Sequence, residues 1–229
     1  MVTTRPRYAF EDEFSEIARE YEAAAKANEE VYGIPIAFPG EGLEEMRNRE
    51  ATKADRLIRA ALDEFKGTRD MPFNALLGLV AFTGRTYGPQ ALNRLDHADA
   101  LADDAYPEGV PYVWGLSEYP IHGNRVGKRR WLHLWKRAGF VIDGEPAERP
   151  KVNLVLYRGA IPSHRDGFSW SDNREVADHF AQARTWGKFK ARTYRAVVPP
   201  ANLLGYIHDN GRGEEEWVVN TYGLKIEEA

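Results

Sequence analysis

Residues 152–159 read VNLVLYRG. A continuous apolar run with β-branched members, closed by an arginine and a glycine, is strand chemistry. It changes the character of the chain. Upstream the apolar spacing is helical: Phe10, Phe14, Ile17, Tyr21, Ala24 and Ala25 predict a helix over residues 10–31, ended by the Gly/Pro punctuation of GIPIAFPGEG. Residues 42–66 predict a second, with Leu57, Ile58, Leu62 and Phe65 on one side, and 73–83 and 89–104 two more. YPEGVPYVWGLSEYPIHGNRVG, 106–127, reads as irregular, and KRRWLHLWKRAGF as a short basic helix with Trp131, Leu134 and Trp135 inward. VIDGEPAERP, 141–150, is the linker expected from its Gly, two Pro and charge run.

Downstream of the opening run, GFSWS (167–171) is a second short strand. DNREVADHFAQAR is a helix that Asp172 can cap, with Glu175 three residues later and Val176, Ala177, Phe180 and Ala183 along one side. ARTYRAVV (191–198), LLGYI (203–207) and EEWVVN (215–220) are strands, with the turn HDNGRG before the last. The expected fold class is therefore α+β: a helical region over 1–145 and a mostly antiparallel β domain over 150–229.

The 229 residues are 43% apolar and 12% aromatic, enough to bury a real core. A net charge of −4 argues against generic nucleic-acid binding, which wants a basic surface. The absence of cysteine excludes disulfides, thiol catalysis and cysteine-based zinc sites, and fits a reducing compartment. MVTTRPRYAFEDEF has no apolar core of a signal peptide, and NALLGLVAF, 74–82, is too short to cross a bilayer. The expected location is the cytoplasm of the producing or a host cell, with no membrane partner. The six histidines show no metal spacing, so no metal is expected.

Three features sit at strand edges. Arg158 ends the first strand beside Gly159. Its rigid fork suits a phosphate, and a glycine there permits a ligand to approach the backbone; a surface ion pair is the other reading. In Ser169-Trp170-Ser171, alternation puts both hydroxyls on one face and the indole on the other. Ser171 and Asp172 also serve as helix caps, which leaves Ser169 to explain. In GEEEWVVN, 213–220, Glu214 and Glu216 share one face and Glu215 takes the other. A carboxylate pair there suits a developing positive charge, or is simply a solvated strand end.

In this order, an arginine strand, S-x-S before a helix and E-x-E before an apolar strand resemble the ADP-ribosyltransferases of the arginine–serine–glutamate type, to which many bacterial toxins belong. The resemblance covers residues 152–224. The ten residues between Arg158 and Ser169, and a tryptophan in the middle of the serine motif, resemble the compact bacterial and phage forms, in which YRG is soon followed by G-x-S-W-[ST] and an alanine-rich helix. The resemblance implies NAD as substrate and an ADP-ribosyltransferase-like domain at 150–229. Glu216 matches the catalytic glutamate, and Glu214 the glutamate two before it, which positions and deprotonates the acceptor. Ser169 matches the first serine, orienting Glu216 or the nicotinamide ribose. Arg158 would clamp a phosphate of NAD, beside Gly159, Trp170 and Ser171. A glutamate at position 214 goes with arginine as the acceptor, hence a protein target modified at arginine. Phe168, Trp170, Trp186 and Tyr206 are candidates for an aromatic wall, or for core packing. The helical region would recognise the target or cover the cleft. An NAD glycohydrolase, and an inactive binding or structural phage protein, are the alternatives.

Overall fold

The computed structural model describes residues 7–32, 37–117, 120–121, 126–183, 190–208 and 215–229. The chain is α+β, as expected, and forms two compact units that divide between Ala105 and Tyr106.

The first unit is helical: α1 (Glu11–Tyr32), α2 (Leu43–Phe65) and α3 (Phe73–His97). Leu57, Ile58, Ala61 and Phe65 form the buried face of α2, and Leu76, Leu79 and Val80 that of the first half of α3. The two helices expected at 73–83 and 89–104 run as one kinked element. Gly84 has φ 69°, ψ −175°, a left-handed conformation that glycine adopts without steric cost. The break the sequence suggested is thus a bend, and the helix stops at His97.

The second unit begins with α4 (Ala105–Leu116), where irregular structure was expected. Its large buried residues Tyr106, Val110, Val113 and Trp114 follow helical spacing. Pro107 lies in the first turn, where backbone N–H groups have no partner anyway. Ser117 closes the helix by donating its hydroxyl to the Val113 carbonyl at 2.7 Å. After α5 (Lys128–Ala138), β1 (Val141–Ile142) and β2 (Glu145–Pro146) form a hairpin in place of the expected linker. Asp143 and Gly144 both have positive φ, the signature of a tight Asp-Gly hairpin turn. The turn packs on α4: a Cβ at Gly144 would lie 3.3 Å from Glu108 Cα.

The remaining elements are β3 (Leu154–Ala160), β4 (Ser169–Trp170), α6 (Arg174–Ala183), β5 (Arg192–Val198), β6 (Leu203–Ile207), β7 (Glu216–Val219) and β8 (Ile226–Glu228). They make two sheets, β2-β1-β6-β7-β4 and β3-β5-β8. All pairs are antiparallel except β1 with β6. Between the sheets lies a core of Phe140, Leu156, Ala160, Trp170, Tyr194, Ala196, Val198, Leu203 and Val219. On its opposite face the β6–β7 ribbon meets α4 and α5. A Cβ at Gly205 would fall 2.6 Å from Trp135 Cζ3, so only glycine lets this indole lie on the strand. The helices α4 and α5 therefore belong to the β unit, whereas the sequence grouped them with the helical region. No helix among the described residues is long and apolar enough to cross a membrane.

Candidate functional site

Arg158 follows Leu156 by two residues on β3 and so shares its core-facing side. Its Nε donates to the His164 carbonyl at 3.2 Å and Nη1 to the Ser169 carbonyl at 2.6 Å. The fork lies flat on Gly167, where a Cβ would come within 2.4 Å of Nη2. Arg158 thereby holds the 164–169 loop from inside, and Gly167 makes room for it.

Gly159 has a different partner from the one expected. A Cβ there would stand 2.0 Å from the Ala177 carbonyl oxygen and 2.5 Å from Ala181 N. Helix α6 fills the space that a ligand would need, so the glycine serves helix-on-strand packing.

Ser169 is half-buried at the start of β4, where it pairs with Val218 of β7. Ser171 is buried, exchanges both backbone hydrogen bonds with Tyr157, and accepts the Asn173 N–H on its Oγ at 3.1 Å. Asn173, not Asp172, then caps α6: its Oδ1 accepts the Glu175 N–H at 2.9 Å. Asp172 instead accepts the Trp217 indole N–H at 3.2 Å. Trp170 is 2% exposed in the inter-sheet core, with Nε1 donating to the Gly167 carbonyl at 2.8 Å. Phe168 is 1% exposed. Both rings are packed in the core and present almost no surface.

Glu216 opens β7 and is half-buried. Alternation puts it on the face of Val218, opposite Trp217, and that face meets α4. Its Oε1 accepts the Trp114 indole N–H at 2.8 Å. Trp114 sits edge-on to Trp131, with centroids 4.9 Å apart, and is stacked with Phe168 at 6.2 Å. Trp114 was not singled out in the sequence, although its spacing from Tyr106 and Val110 carries a helical signal.

The other face of the ribbon carries Tyr206 and Trp217, cross-strand partners with centroids 4.4 Å apart. Burial, together with the charges of Glu215, Asp172 and Asp143, pushes the Tyr206 hydroxyl up to about 12. His208 packs edge-on to Tyr206 at 4.6 Å, and its Nδ1 meets Asp143 at 2.5 Å. Of the described aromatic-wall candidates, Phe168, Trp170 and Tyr206, it is Tyr206 that keeps a partly open ring, and it lies on the face away from Glu216.

Arg158 and Ser169 are thus joined directly, and the Ser169 strand pairs with the Glu216 strand. The Glu216 side chain bonds Trp114, not Arg158. Glu214, Trp186 and the turn residues 209–213 lie outside the described residues. No group of three metal-binding side chains gathers among the described residues. Compared with known proteins, the chain matches no family model, no curated protein and no solved structure.

Proposed function

We propose that the second unit is an NAD-dependent mono-ADP-ribosyltransferase that modifies a protein at arginine, working in the cytoplasm of the producing or a host cell. The observation that carries this reading is that Arg158 meets the backbone at Ser169 and that the Ser169 strand pairs with the strand that Glu216 opens. Arg158 grips the Ser169 carbonyl, and Ser169 is strand-paired two residues from Glu216.

The chemistry would run as follows. The bond between ribose C1′ and the nicotinamide nitrogen breaks, and nicotinamide leaves with the electron pair. The ribose takes on oxocarbenium character, as in glycoside cleavage. Glu216, its Oε1 held by Trp114, offers its other oxygen to the ribose 2′-hydroxyl and offsets the positive charge. Arg158 shapes the 164–169 loop and brings a fixed cation toward the dinucleotide phosphates. The acceptor guanidinium nitrogen forms the new bond to C1′ and loses its proton to Glu214. With water as acceptor, the same centre would be a glycohydrolase.

The test is nicotinamide release from NAD by the purified chain, beside Glu216→Ala, with and without a cell lysate. The expected result is release that drops roughly a hundredfold to a thousandfold in the variant, the scale of losing one preorganised electrostatic group. Labelled ADP-ribose should also appear on a lysate protein. Equal release in both proteins would overturn the role of Glu216, and none in either would overturn the reading in favour of a binding module.

A further inference from the structure

We propose that Trp114 of α4 is the positioning residue for Glu216, and that it acts by fixing one carboxylate oxygen so that the other is presented to substrate. This inference rests on the transferase reading above. The indole is 2% exposed and its N–H has one hydrogen-bond acceptor among the described residues, Glu216 Oε1 at 2.8 Å. Three rings surround it: Trp131 at 4.9 Å and Trp135 at 6.0 Å, both edge-on, and Phe168 stacked at 6.2 Å. An indole so enclosed has one orientation, and so has the bond it donates.

The carboxylate is held asymmetrically. Among the described residues Oε1 accepts from Trp114 and Oε2 accepts from no protein group. A charged acceptor bonded to a buried neutral donor makes one of the stronger hydrogen bonds a protein offers. Neutrality matters here: a lysine or arginine in this place would cancel the negative charge, whereas an N–H dipole orients it and leaves it available. Phe168 extends the same cluster to the strand that begins at Ser169. One packing unit thus carries both the serine strand and the glutamate clamp. Trp114 lies outside residues 152–224, so the clamp comes from a helix that the motif does not include.

The test replaces Trp114 by 3-benzothienylalanine in the full chain, which exchanges the indole N–H for sulfur at nearly constant volume, and compares it with Trp114→Phe. Trp131→Phe is the packing control, since its Nε1 donates to the Pro120 carbonyl at 2.6 Å and not to Glu216. The isostere is expected to lower kcat for nicotinamide release roughly tenfold to a hundredfold, the range of a hydrogen bond to a charged group, with KM for NAD little changed. The control keeps an aromatic ring at position 131 and the Trp114 N–H, so it is expected to lose stability and to lower kcat far less than the isostere. In a Glu216→Ala background the isostere should have no further effect. An unchanged kcat, or the same fall without Glu216, would overturn the positioning role alone. Absent release would overturn the transferase reading, release independent of Glu216 would overturn the role of Glu216, and this inference would fall with either.

Discussion

At Tyr206, burial and the surrounding carboxylates favour the neutral phenol, which holds it up to about 12 against an ordinary value near 10. The sign follows from linkage. Between those two values the unfolded chain has given up this proton while the folded chain keeps it. The contribution is therefore complete below pH ~10 and fades as pH rises toward ~12. Thermal melting of the wild type and Tyr206→Phe across pH 8–12 should show curves whose separation changes in that window, and phenolate absorbance should show one late tyrosine missing in the variant. A constant separation would mean that burial and the carboxylates of Glu215, Asp172 and Asp143 do not hold this phenol neutral. The same neighbourhood shows why single residues were only partly legible. Aromatic content marks a residue as large and apolar, but Phe168 and Trp170 are buried while Tyr206 is half-open, a difference made by three-dimensional packing. Glu216 stood out because a carboxylate ahead of an apolar strand needs a partner, and in the structure that partner is the Trp114 indole.

At the scale of elements, Gly159 determines how α6 sits. Its missing side chain lets the helix backbone touch β3, with the Ala177 oxygen 2.0 Å and the Phe180 Cβ 2.8 Å from the position a methyl would take. Backbone atoms cannot give way by a rotamer change, so the whole helix must move. Gly159→Ala is expected to cost about 1–3 kcal/mol or more, as overpacked sites do, read from chemical denaturation. A neutral variant would mean that α6 rides loosely on the sheet. Strands β3, β5, β6 and β7 were legible because apolar runs with β-branched residues end at glycine, proline or charge. The hairpin at 141–146 was hidden because an Asp-Gly turn and a linker share their punctuation. Helix α4 was hidden because Pro107, Gly109 and Pro111 outweigh, on propensity, an apolar spacing that packing against Trp131 and Trp135 makes decisive.

For the whole molecule, the position of the divide has a consequence for what folds alone. The strand-rich sequence begins at 150, but the sheet containing Glu216 is completed from before that point. Val141 and Ile142 pair with Gly205 and Tyr206 in β6. Trp135 lies on Gly205, and Trp114 bonds Glu216. A fragment of residues 150–229 would expose the face that these tryptophans cover and leave β6 with an open edge, both hazards for solubility. Burying an aromatic side chain contributes about 1.5–3 kcal/mol, so losing Trp114, Trp131 and Trp135 together removes an amount comparable with the stability of a small domain, ~5–15 kcal/mol. The fragment 106–229 keeps every one of these contacts. It is expected to be soluble, with a cooperative melt, whereas 150–229 is expected to aggregate or to lack near-ultraviolet circular dichroism. If 150–229 melts cooperatively instead, the tryptophan cluster is an accessory layer, and the sheet pairing within 150–229 supplies the stability by itself. If 106–229 fails as well, that unit does not fold without residues 1–105.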